Sequence, residues 1–197
     1  MTKVPHPFLS SDKIVLRPLD PQKDAADVMR WINDPEVTQF MFYGQLPSHY
    51  EHTTAFLRAM DNPEHTNIVF TVLDAATKKS IGFAGLYEID WISRRAEFRI
   101  LIGEKDFWGK GYGTEITQLL TWFGFDRLNL NRIDLGVTSD NKGAITTYTR
   151  AGFVYEFTRK QFMYRNSRYY DADFMVLFRD QYYDKFFEEH NKKYGKI

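Results

Sequence analysis

Phe107-Trp-Gly-Lys-Gly-Tyr-Gly-Thr114 is the stretch on which the reading of this chain turns. Before it, Arg95–Ile102 alternates as a strand does; after it, Ile116, Leu119, Leu120 and Phe123 recur at helical spacing. A strand, a triple-glycine turn and a helix aim several backbone N–H groups and the positive end of a helix dipole at one anion. Glycine at 109, 111 and 113 lets a pyrophosphate approach the backbone and permits positive φ. Spacing excludes two common nucleotide loops. A dinucleotide fingerprint needs G-x-G-x-x-G, but here the third glycine comes one residue early and Thr114 stands in its place. A Walker loop needs four residues between its first glycine and Gly-Lys, whereas Gly103 to Gly109 encloses five and Gly111 replaces the magnesium-binding hydroxyl. A ligand-free glycine turn is the competing reading.

Outward from the loop, strand and helix patterns alternate. Lys13–Arg17 reads as a first strand, and Asp20-Pro21 caps a helix with Ala25, Val28, Met29 and Ile32 inward, stopped by Pro35. Ser48 with Glu51 makes a capping-box pattern for a second helix running to about Asp61. Asn67–Asp74, Ile81–Asp90 and Arg95–Ile102 are three β segments for which antiparallel pairing of neighbours is the simplest arrangement. Ile133, Leu135 and Val137 alternate in a further strand; Asp140-Asn141 caps a short helix that Gly152 ends. Strands near Val154–Lys160 and Tyr169–Phe178 lead to a C-terminal amphipathic helix over 180–193. The order specifies an α/β (α+β) fold, a mixed and mostly antiparallel sheet flanked by helices, with the glycine loop between the fourth strand and the next helix. No repeat or linker divides the chain, so residues 1–197 are expected to form a single domain with its core at about 13–180.

Composition narrows the function. With 197 residues the chain can bury a core unaided, and without cysteine it has no thiolate nucleophile, Cys-ligated zinc or disulfide. Its 26 Lys+Arg against 26 Asp+Glu lack the basic field a general nucleic-acid binder uses, so no nucleic-acid partner is expected. Met1-Thr-Lys-Val-Pro-His-Pro has no apolar signal-peptide core, and no run approaches about 18 apolar residues; the expectation is a cytoplasmic protein with no membrane partner. His49 and His52 stand three apart without H-E-x-x-H, so no metal site is expected.

A second constellation, Asn141-x-x-Ala144-Ile145-x-x-Tyr148-x-x-Ala151-Gly152-Phe153, completes a pattern. With Trp108-Gly-Lys-Gly-Tyr-Gly-Thr-Glu and Leu130-Asn131-Arg132-Ile133, the chain resembles the GCN5-related N-acetyltransferases (GNAT), and within them the RimJ/RimL type. In that family a loop of pattern Arg/Gln-x-x-Gly-x-Gly/Ala binds the acetyl-CoA pyrophosphate, and here Trp108 stands at its first position. The specific matches cover about residues 95–155; the rest matches in element order.

The resemblance implies an acetyl-CoA-dependent N-acetyltransferase acting on a primary amine. It implies pantetheine binding by the backbone of Ile100, Leu101 and Ile102, and cofactor contacts from Trp108, Gly109, Lys110, Gly111, Tyr112, Gly113, Thr114, Asn141 and Ala144. It names Tyr148 as general acid, although spacing from Ala144, Ile145 and Ala151 alone suits a core tyrosine. Asn141 can cap its helix and also hold cofactor. Strand alternation sets Glu97, Arg99 and Leu101 on one face, so Glu97 either serves the acceptor as a base through water or is a solvated partner of Arg99. The absence of cysteine favours direct attack in a ternary complex over a Cys acyl-enzyme.

The resemblance places one wall of the acceptor site in residues 20–64. There eight acids, Asp61 among them, face only Lys23, Arg30 and Arg58, an excess that either attracts a cationic amine or decorates caps and solvated helix faces. Trp31, Phe40, Phe42, Tyr43 and Tyr50 supply an aromatic wall or belong to the core. The implied acceptors are a protein N-terminus, a polyamine or an aminosugar. An α-amine with pKa near 8 is about 3 kcal/mol easier to present neutral than a lysine-like amine. A non-catalytic acyl-CoA-binding module on the same fold is the alternative, and the C-terminal helix with Tyr182 and Phe186 docks internally or across a homodimer.

Overall fold

The computed structural model describes residues 7–60 and 64–195. The expectations for the extreme N-terminus and for Asp61 lie outside the described residues. All described strands join one sheet. Its members are β1 (Leu9–Ser10), β2 (Ile14–Pro18), β3 (Ile68–Asp74), β4 (Ser80–Asp90), β5 (Arg95–Ile102), β6 (Arg132–Thr138), β7 (Val154–Arg165) and β8 (Arg168–Phe178), in the order β1-β2-β3-β4-β5-β6-β8-β7. Only β5 and β6 run parallel. The glycine loop therefore follows the fifth strand, because Leu9–Ser10 pairs with Val15–Leu16 ahead of the strand expected to be first.

The helices are α1 (Pro21–Ile32), α2 (Tyr50–Met60), α3 (Tyr112–Trp122), α4 (Lys142–Arg150), α5 (Arg179–Lys185) and α6 (Phe187–Tyr194). Asp20 caps α1, accepting from the N–H groups of Gln22 and Lys23. The capping box at Ser48 does not form: the Ser48 hydroxyl lies 3.0 Å from that of Thr53, and α2 begins at Tyr50. α1 and α2 cover one face of the sheet, where Ala25, Val28, Trp31 and Leu57 pack on Phe83 and Leu101. α3 lies on the other face, with Ile116, Leu119 and Trp122 against Phe98, Ile133 and Leu135.

Two expectations at the C-terminal end are corrected. β7 runs to Arg165 because Asn166 (φ 52°) and Ser167 (φ 61°) make a two-residue turn with both φ positive, the geometry whose twist suits a hairpin. The single C-terminal helix is two helices that break at Phe186, where φ is −127°. The Phe186 ring fills the space beside Gly152, where a Cβ would stand 2.4 Å from it. Gly152 itself has φ +99° and ends α4 as expected.

The position of the site follows from one strand pair. β5 and β6 pair only from Arg95 to Glu97, against Arg132 to Asp134, and then diverge while each continues several residues. The divergence opens a cleft beyond the C-terminal ends of two parallel strands, where α/β sheets place their ligands.

Candidate active site

Glycine chemistry shapes the loop at the mouth of this cleft. Gly111 holds φ +84° at the N-cap of α3, and a Cβ there would meet nothing nearer than Lys13 Nζ at 3.4 Å. The backbone N–H groups of Gly111, Tyr112, Gly113 and Thr114 are bonded to no protein acceptor among the described residues. Free donors at the positive end of a helix form a diphosphate cradle, and the fit to the expected cofactor is met. Two side chains anchor it. Tyr112 donates 2.6 Å to Asp74 Oδ1, and the Trp108 indole donates 2.8 Å to the Ile102 carbonyl.

That second bond bears on two expected roles: Trp108 lines the cleft while its one polar group ties the loop to β5, and the Ile102 carbonyl accepts from it. Lys110 is not among the lining residues; its carbonyl accepts from Lys13 Nζ at 3.1 Å. The others converge. Ile100, Leu101, Ile102, Gly109, Gly111 to Thr114, Asn141, Ala144 and Tyr148 all line one cavity of about 540 Å³. Asn141 caps α4 through its side-chain oxygen, 3.1 Å from the Ala144 N–H, which leaves its amide NH₂ at the cavity wall. Gly143, Thr147 and Arg150 line it as well and escaped sequence reasoning, since α4 shows its lining only once its orientation is known.

A second cavity of about 660 Å³ adjoins the first. Both are lined by Phe40, Met41, Ile100, Asn141 and Tyr148. Tyr148 is therefore both readings at once. It is buried against Phe98 and Phe153, yet its hydroxyl has no hydrogen-bond partner among the described residues. Burial pushes its phenol well above the ordinary tyrosine range, so it stays protonated at neutral pH.

Glu97 lines only the second cavity, and both of its oxygens accept from Arg99 at 2.8 Å. Arg99 also reaches Glu88 at 2.5 Å, because β4 slips register between Tyr87 and Asp90 and Glu88 takes φ +52°. Across the cavity Arg132 binds Asp134 at 2.9 Å and Glu156 at 2.6 Å. Of these partners the Glu97–Arg99 pair was legible from strand alternation, whereas Glu88, Arg132, Asp134 and Glu156 were not, and the acids of residues 20–64 drew attention instead. Five of those acids are spent elsewhere: Asp20 caps α1, Asp24 is buried on Arg17, Asp27 pairs with Arg30, and Asp34 and Glu36 hold Lys105. The aromatic wall divides similarly. Phe40, Phe42 and Tyr43 line the second cavity, Trp31 is core, and exposed Tyr50 donates to the Gln22 carbonyl. His49 and His52 are exposed, with their rings tilted against each other at 4.4 Å between centroids. No group of three or more His, Cys, Asp or Glu among the described residues is arranged to hold a metal, and no helix there is long and apolar enough to cross a membrane.

The profile of the acetyltransferase (GNAT) domain matches residues 13–154, which includes the loop, the cleft and Tyr148. The chain belongs to the GNAT acetyltransferases. Spermidine N(1)-acetyltransferase of Escherichia coli K12 is 30% identical over 173 residues, covering 88% of this chain and 90% of that one. The crystal structure of spermidine N-acetyltransferase from Vibrio cholerae, in complex with CoA and spermine, superposes with a TM-score of 0.77 at 27% identity, covering 86% of this chain and 98% of that one. A GNAT acetyltransferase of Bacillus anthracis shares the fold with a TM-score of 0.74 at 18% identity. This acetyltransferase takes acetyl-CoA as co-substrate, and the family membership decides for an enzyme over a non-catalytic module.

Proposed function

We propose that this acetyltransferase transfers acetyl to the primary amine of a small molecule by direct attack in a ternary complex, with Tyr148 as the proton donor. The observation that carries the reading is the unpartnered Tyr148 hydroxyl at the wall shared by the two cavities. The first cavity takes acetyl-CoA, its diphosphate on the N–H groups of Gly111 to Thr114 and its pantetheine arm along β5. The second takes the amine. The amine nitrogen forms a bond to the thioester carbon, the C–S bond breaks, and Tyr148 Oη supplies a proton to the departing sulfur. A β5 backbone N–H polarises the carbonyl as charge develops on its oxygen. Glu97 takes the amine proton through water, since both its oxygens already serve Arg99.

Two carboxylate-rich clusters, around Arg99 and Arg132, draw a cationic amine into the second cavity. The spermidine acetyltransferases among the relatives support a polyamine as the first amine to test, ahead of a peptide N-terminus or an aminosugar. The test is release of free thiol from acetyl-CoA against that panel, with the N-acetyl product identified by mass. Amine-dependent thiol release supports the reading. Tight CoA binding without amine-dependent release for any acceptor contradicts it.

A further inference from the structure

The charged side chains of the second cavity form three groups, and the third differs from the others. Arg99 is matched by Glu88 and Glu97, and Arg132 by Asp134 and Glu156, so each guanidinium has two carboxylates and each cluster keeps one surplus negative charge. Arg159 has none. Among the described residues its guanidinium pairs with no carboxylate and donates no hydrogen bond. It rests on aromatic rings instead, 4.5 Å from the centroid of Phe174, 5.6 Å from Phe162 and 5.8 Å from Phe157. Those rings are packed against one another: Phe157 stacks on Phe174 at 4.8 Å, and Phe162 meets Phe174 edge-on at 6.0 Å.

Such a seat orients a cation without neutralising it. Ring contact supplies no hydrogen-bond acceptor in the guanidinium plane, so its five N–H donors remain available. Arg159 is exposed, and a planar, unspent fork resting on rings is the geometry that takes a carboxylate in two parallel bonds. A purely cationic acceptor would be attracted to the Arg99 and Arg132 clusters and repelled by Arg159. We propose that the acceptor is amphoteric, a small primary amine that also carries a carboxylate, with the carboxylate on Arg159 and the amine presented toward Tyr148. The inference rests on the reading of the second cavity as the acceptor site, sets an amino acid ahead of the polyamine that the relatives suggest, and makes Arg159 a specificity-determining residue.

The test compares amines that differ by one carboxylate: lysine against cadaverine, and phenylalanine against phenethylamine. The expected result is a kcat/KM about tenfold or more higher for the acid of at least one pair, expressed mainly in KM, as one charge-assisted bidentate contact supplies. Arg159→Gln should bring that ratio close to one, and Arg159→Lys, which keeps charge but loses the planar fork, should fall between. Equal or better turnover of the carboxylate-free amine in both pairs overturns the inference, as does an acid preference that survives in Arg159→Gln; either result leaves the proposed acetyl transfer standing. If no amine is turned over, the proposed function fails and calorimetry on the CoA complex decides the inference alone. Tighter binding of an acid, lost in Arg159→Gln, supports it, and equal binding overturns it.

Discussion

Replacing Gly111 tests whether backbone conformation, rather than side-chain space, makes the diphosphate cradle. At φ +84° an L-residue pays about 1–2 kcal/mol for the left-handed conformation. Steric clash is a minor term there, because the nearest atom to a new Cβ is the movable Lys13 Nζ at 3.4 Å. In the free enzyme the strained loop relaxes, and binding must restore it, so the cost appears in cofactor affinity. At about 1.4 kcal/mol per tenfold, Gly111→Ala should weaken CoA binding roughly 5- to 30-fold. Gly111→Val should weaken it more, because a β-branched side chain tolerates positive φ least, and Gly111→Asn least, because asparagine visits that region readily. The assay is calorimetric titration with CoA, with circular dichroism to confirm folding. Equal losses in all three variants would show that bulk, not conformation, is responsible, and undiminished affinity in Gly111→Val would refute the cradle.

Two further outcomes concern what holds the site in place. Burial pushes the Glu104 carboxyl up, but hydrogen bonds from Lys79, Trp31 and Arg30 together outweigh it and hold the pKa at about 2, against an ordinary 4.5. A depressed carboxyl stabilises the fold above its unfolded pKa and loses that contribution as pH falls from about 4.5 toward 2. Urea unfolding of the wild type should therefore lose roughly 2–3 kcal/mol more over that window than Glu104→Gln, the figure being reduced by the half-exposed cations, and parallel pH curves would contradict it. Gly103→Ala would set a Cβ 2.0 Å from the buried Trp31 ring, so it should cost about 2–3 kcal/mol of stability in the same assay; an unchanged midpoint would show that Trp31 can move.

Local signals in the sequence carried far. The cap at Asp20, the alternation of Ile133, Leu135 and Val137, and the strand-glycine-helix junction each rest on short-range physics, and each stands in the structure. Residues were lost where the decision is tertiary. The hairpin turn at Asn166-Ser167 lacks the glycine that announces such turns, so β7 was expected to end five residues early. The break at Phe186 depends on a cavity beside Gly152, thirty-four positions away in sequence. The acidic excess of residues 20–64 was legible as composition, but which carboxylates reach the acceptor cavity depends on a register slip in β4 and on β8 pairing between β6 and β7, and neither leaves a periodic trace. Tyr148 shows the limit most clearly. Its spacing is that of a core residue and its ring is core, while its place in the lining of both cavities, with a hydroxyl that no described residue partners, is visible only in three dimensions.

The most direct test of the account is steady-state turnover of Tyr148→Phe, with CoA affinity measured on the same preparation. Removing a single oxygen from the shared wall should lower kcat about 100-fold and leave the CoA Kd within about twofold, as expected for a lost proton donor. A kcat equal to that of the wild type would remove Tyr148 from the chemistry, and with it the reading of the two cavities as one reaction site.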